Sequence, residues 1–182
     1  MKIRSNINGT LRIKIIQCIK LLDSEYQSLN FTIDPYPSRE RLEYERTNNP
    51  DLTPEEYNQI LNGEETIGGL LLKDKKKIKL FLFLYDDLDR NPSDILDLVG
   101  NIYHELRHAW QTKNNLFQND DGISKVDGNL EFYFGQEAEK DAYQFQLSEM
   151  KKNANKILEI FKVPTRVQSY ALKEHIMKFL TS

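Results

Sequence analysis

Residues 91–113 read NPSDILDLVGNIYHELRHAWQTK, and the fold turns on this stretch. Asn91-Pro92-Ser93-Asp94 is a helix start. Asn91 caps, Pro92 takes the first helical position, and Asp94 adds negative charge to the first turn. From Ile95 to Gln111 there is one glycine and no proline. Apolar residues at Ile95, Leu98, Val99, Ile102, Leu106 and Ala109 recur at helical spacing and mark a core face. The stretch therefore reads as one long helix with a buried side.

That helix carries His104-Glu105-Leu106-Arg107-His108, an HExxH pattern. Positions i and i+4 of a helix are about 40° apart around its axis, so both imidazoles can face one ion. Glu105 lies about 100° further round, beside such an ion and not on it. A carboxylate there can take a proton from a zinc-bound water, acting as base and then as acid. A catalytic zinc site wants three protein ligands and one open position. The chain has three histidines and one cysteine, Cys18, so a cysteine-rich site is excluded. The extended form HExxHxxGxxH needs glycine where Gln111 stands and histidine where Asn114 stands. The third ligand is then His175 or a carboxylate downstream.

The best carboxylate cluster is Gln136–Phe145, QEAEKDAYQF, at the start of a second long helix expected over about residues 135–161. Glu137 and Glu139 are about 200° apart on a helix, so only one can reach the ion. Each flanks the face carrying Phe134, Ala138, Ala142 and Phe145, and periodicity leaves the choice open. HExxH on one helix and glutamate on a following one resembles the gluzincin group of zinc metallopeptidases. Glu139-x-x-Ala142-x-x-Phe145 is similar to the third-ligand helix of the ImmA/IrrE-type phage-immunity and stress-response metallopeptidases. That resemblance implies Glu139 as the zinc ligand, with Ala142 letting the two helices approach. Glu137-x-x-x-Asp141 is similar to the thermolysin-like pattern, which implies Glu137 as ligand and Asp141 as partner of a histidine. The first resemblance is preferred. It covers residues 78–146.

Outward from this core, Leu11–Leu22 reads as an amphipathic helix and Ser28–Asp34 as a short strand stopped by Pro35 and Pro37. The charged segment Ser38–Asn49 fits helix or loop. Thr53-Pro54-Glu55-Glu56 opens a helix with a capping box, which should end at Asn62-Gly63. Thr66–Leu72 and Ile78–Tyr85 are β-rich runs about the polar turn Lys73–Lys77, so a hairpin is expected, its second strand buried on both faces. Lys113–Asn129 reads as a long surface loop, and Thr165–Leu180, after Pro164, as a last helix. The expected fold is α+β: one small zincin-like domain over 1–182, with its motif-bearing core over 66–162 and a short twisted sheet on the HExxH helix.

Other side chains carry weaker signals. Arg107 reads as a solvent-facing charge and Trp110 as packing. Tyr133, Tyr143 and His175 are candidate hydrogen-bond donors to an oxyanion. Asp97 and Asn101 precede His104 on a similar helix face and are candidates to support the ligands. Cys18 reads as a small buried apolar group.

Composition bounds the function. The 182 residues hold 25 Lys+Arg and 28 Asp+Glu, a net charge of -3, which argues against general nucleic-acid binding. No signal peptide or bilayer-length apolar run stands out, so the expectation is a cytoplasmic protein without a membrane partner. The expected function is a zinc-dependent metallopeptidase acting on a peptide or protein substrate. His104, His108 and Glu139 hold Zn2+, Glu105 activates water, and an edge strand within 66–85 binds the peptide. The alternatives are a non-catalytic binding or regulatory module on a zincin-like scaffold, and hydrolysis of a non-peptide bond. Oligomeric state has no signature in the sequence.

Overall fold

The structure, a computed structural model, describes residues 1–63, 67–118 and 130–181. The elements run β1 (Lys2–Ile3), α1 (Gly9–Ile19), α2 (Ser24–Gln27), β2 (Thr32–Tyr36), α3 (Arg39–Asn48), α4 (Pro54–Asn62), β3 (Gly69–Leu72) and β4 (Lys77–Phe81). A 3-10 turn at Leu82–Leu84 leads to α5 (Pro92–Lys113), α6 (Leu130–Gly135), α7 (Glu137–Phe161) and α8 (Glu174–Thr181). The class is α+β. Among the described residues no helix is long and apolar enough to cross a membrane.

Four described strands form one sheet in the order β1-β2-β4-β3. β1, β2 and β4 are parallel, and β3 runs antiparallel to β4 as an outer strand. The expected hairpin is present but short. It turns on Lys73–Lys76, where Lys76 takes a left-handed φ of 47° and donates to Lys73 O at 3.1 Å. Ile78, Leu80 and Phe81 are fully buried, as the dense apolar run implied. The rest of that run leaves the sheet in the 3-10 turn, and Thr66 lies outside the described residues.

Helices cover both faces of the sheet. Ile33, Ile78 and Leu80 pack with α1, α5 and α7 in the larger core. Tyr36 and Phe81 point the other way, into a second cluster with Leu42 of α3 and Tyr57 and Ile60 of α4. The charged Ser38–Asn49 segment is thus a helix, capped by the Ser38 side chain. α4 has the expected Thr53/Glu56 capping box and ends at Gly63 with φ 68°. Lys79 faces this second layer fully buried, within reach of Tyr36, Glu45 and Asp51.

Two expectations are corrected. Pro35 does not stop β2; it pairs opposite Leu80 inside it. The N–H and C=O of one strand residue point to the same side, and Pro35 O accepts from Asn6 Nδ2 on the β1 side. β1 has already ended there, so the missing proline N–H leaves no ladder partner unmet. The final helix spans only Glu174–Thr181, not Thr165–Leu180. The Asn155 side chain grips Val167, accepting from its N–H at 2.9 Å and donating to its carbonyl at 3.1 Å. These bonds replace helical ones and hold the segment extended along α7, with Tyr170 and Leu172 buried beyond.

α5 begins as read. Asn91 Oδ1 accepts from Ser93 N at 3.0 Å, with Pro92 in the first turn. Ile95, Leu98, Val99, Ile102, Leu106 and Ala109 are all fully buried. α5 packs most extensively on α7, where Ala142 is completely buried.

Candidate metal centre

Helical spacing stacks His104 and His108 one turn apart, with their Nε2 atoms 3.0 Å from each other. Glu139, in the first turn of α7, brings Oε1 to 3.1 Å from His108 Nε2 and Oε2 to 3.3 Å from His104 Nε2. Two helices therefore bring three side chains into a triangle, each glutamate oxygen close to a different imidazole. Among the described residues this is the group of three able to hold a metal ion. A tetrahedral ion with bonds of about 2.0–2.1 Å keeps its ligands about 3.3–3.4 Å apart. Two imidazoles and a carboxylate with spacings of this order are a donor set that fits a zinc-like ion. Glu137 is exposed, and His175 is exposed and meets Phe134 edge-on at 6.0 Å. Glu139 is the carboxylate the structure brings to the histidines.

His108 is oriented by a chain of side chains that the sequence only partly reveals. His108 Nδ1 lies 2.8 Å from Gln111 Oε1. Gln111 Nε2 donates to Ala138 O at 2.9 Å and to Asp141 Oδ2 at 2.7 Å. Asp141 in turn accepts two hydrogen bonds from Arg107, at 2.7 and 2.9 Å. Asp141 thus supports a histidine through Gln111. Arg107 is not the solvent-facing charge expected. It also bonds Tyr26 and lies over the Trp110 ring at 4.1 Å, because the α5–α7 contact closes around its planar guanidinium.

Electrostatics tie the three side chains together. Burial opposes charge on His108, but Glu139, with help from Glu105 and Gln111, outweighs it and raises the pKa to about 9. Burial pushes the Glu139 carboxyl up, yet His108 and His104 hold it well below its ordinary value. Tyr133, buried, hydrogen-bonds Glu139; burial, Tyr143 and that carboxylate keep its hydroxyl protonated. The Tyr143 ring lies 4.2 Å from that of His104.

Glu105 is 8% exposed and lies against the outer strand. A Cβ on Gly69 would fall 2.8 Å from Glu105 Cγ, and one on Gly68 2.0 Å from Asn101 Nδ2. The absence of two side chains is what lets β3 reach α5. The adjacent glycines, Gly68-Gly69, were the sequence signal for this approach. Asn101 donates to Tyr85 Oη at 2.7 Å, and Asp97 lines a cavity between α5 and the 170–176 segment. The loop expected at 113–129 lies mostly outside the described residues.

No family model, curated protein or solved structure matches this chain.

Proposed function

We propose that this protein is a zinc-dependent metallopeptidase of zincin-like, gluzincin-type build, working in the cytoplasm on peptide or protein substrates. The observation that carries the reading is the convergence of His104, His108 and Glu139 from two helices, with Glu105 buried beside them against an outer strand. His104, His108 and Glu139 would hold the ion. Zinc at such a site supplies Lewis acidity toward a carbonyl and an acidified water. Glu105 takes the proton of the attacking water and returns it to the leaving amine. Gln111 keeps His108 Nδ1 as the donor, so Nε2 presents its lone pair to the ion. An extended peptide adds to the outer edge of β3, which brings its scissile carbonyl toward Glu105. Tyr143, whose ring packs on His104, stands as a hydrogen-bond donor for the developing oxyanion.

The test is elemental analysis of the purified protein together with turnover of a quenched peptide library. The reading expects one zinc per chain and cleavage. Glu105→Gln should retain zinc and lose about 10²–10⁴-fold in rate. A zinc-loaded protein that cleaves no peptide would favour the regulatory-module alternative.

A further inference from the structure

Beside the metal triangle is a cavity of about 130 Å³, lined by α5, α7 and the extended segment before α8. Its size suits one side chain; a drug-sized ligand needs about 300 Å³ or more. It neighbours the candidate centre: its wall includes Gly68, next to the glycine against Glu105, and Tyr143, which packs on His104. Asp97, Asn101 and Glu105 follow one another at four-residue steps along one face of α5. Asp97 therefore lies about 12 Å down the helix from Glu105, with Asn101 between them.

The cavity is built for a hydrogen-bond donor. Gln146 is only 5% exposed and spends its Nε2 on Tyr170 Oη at 3.1 Å. Its Oε1 is buried without a partner, at the cavity wall. A buried unmet acceptor costs about 1–3 kcal/mol, so a donor is missing there. Asp97 takes no hydrogen bond or ion pair from any described residue, and burial raises its carboxyl above the ordinary value. Lys173 lines the same cavity, and its charge partly offsets that rise. Asp94, the other acid present, has Oδ2 committed to Asp86 N and Asp87 N at 3.0 and 2.8 Å. Two acceptors, one of them a carboxylate, thus line a space of side-chain size.

We infer that this cavity selects a basic substrate side chain, lysine or arginine, whose cationic head meets Asp97 and Gln146. The inference rests on the peptidase reading for its place in a reaction, and names the residues that choose the substrate.

Binding tests it apart from catalysis. Arginine amide, lysine amide and norleucine amide are titrated by calorimetry into the full-length Glu105→Gln protein, and into the same protein carrying Asp97→Asn. The basic amides should bind about tenfold or more tighter than norleucine amide, and Asp97→Asn should erase that margin. Asp97→Asn is isosteric and removes a charge that burial disfavours, so its melting temperature should be unchanged or higher. Gln146→Leu provides a second variant and should weaken the basic amides about threefold. Equal binding of norleucine amide, margins untouched by Asp97→Asn, or no binding by any probe overturns the inference. A wild-type protein that cleaves no peptide yet shows the basic preference would sink the peptidase reading and leave the pocket standing.

Discussion

His108 Nδ1 and Gln111 Oε1 lie 2.8 Å apart on one helix, and the nitrogen of that amide is already spent on Ala138 O and Asp141. The amide cannot flip without losing both bonds to α7. Its oxygen therefore faces the imidazole, and Nδ1 must donate. This leaves His108 Nε2 unprotonated and aimed at Glu139 whenever the ring is neutral.

Gln111→Leu removes that restraint at similar volume. Zinc affinity should fall about 10–100-fold, read by competition with a chromophoric chelator. Unchanged affinity would deny Gln111 its orienting role.

Arg107 and Asp141 form the next link, with two bonds across the α5–α7 contact. Their side chains are 18% and 27% exposed. Arg107→Met should cost about 2–3 kcal/mol, because it leaves Asp141 half-buried with only Gln111. Asp141→Asn should show non-additivity with it in a double-mutant cycle of urea unfolding. A coupling energy near zero would mean that the pair is held by packing alone.

Much of this was legible beforehand, and the reasons differ by residue. Asn91, Pro92 and the apolar face from Ile95 to Ala109 act locally, so the long helix follows from spacing. His104, Glu105 and His108 lie within two turns of it, and their geometry is that of any helix. Glu139 against Glu137 is a question of how α7 is rotated on α5, which periodicity left open. Arg107 was misread because its partners, Asp141 and Tyr26, are 34 and 81 residues away. Pro35 was misread because its tolerance depends on where β1 ends, a fact about a neighbouring strand. Thr165–Leu180 was misread because the Asn155 side chain acts from another helix.

Gly69 sets the distance between the outer strand and Glu105. A Cβ there would meet Glu105 Cγ at 2.8 Å and Leu80 Cδ2 at 3.4 Å. The flexible glutamate should yield first. Gly69→Ala should therefore fold and keep zinc, while kcat falls about 10–100-fold through a displaced base. Circular dichroism, metal content and steady-state rates together check this. A wild-type kcat would show that Glu105 does not need its present position.

Lys79 is fully buried on the opposite face of the sheet, far in chemistry from the metal triangle. It donates to Glu45 and to Tyr36 Oη at 2.7 Å, and lies 3.4 Å from Asp51. Burial alone would raise the Glu45 and Asp51 carboxyls. Hydrogen bonds from Lys79, Tyr36 and Tyr57 to Glu45, and from Lys75 and Lys77 to Asp51 with the charge of Lys79 nearby, win and lower both. A folded-state pKa below the unfolded value of about 4 means stability that is fully present above that value. It is lost as pH falls toward the folded pKa. Thermal melts from about pH 5 down to about pH 2 should thus show a steep acid loss in the wild type. Lys79→Met should be destabilised at pH 7 by about 3–5 kcal/mol, since Glu45 loses its buried cation. Its stability should also vary less with pH below 5, because Glu45 gains less from being charged, while Asp51 keeps Lys75 and Lys77. A variant with the wild-type acid slope would place the pH sensitivity elsewhere in the chain.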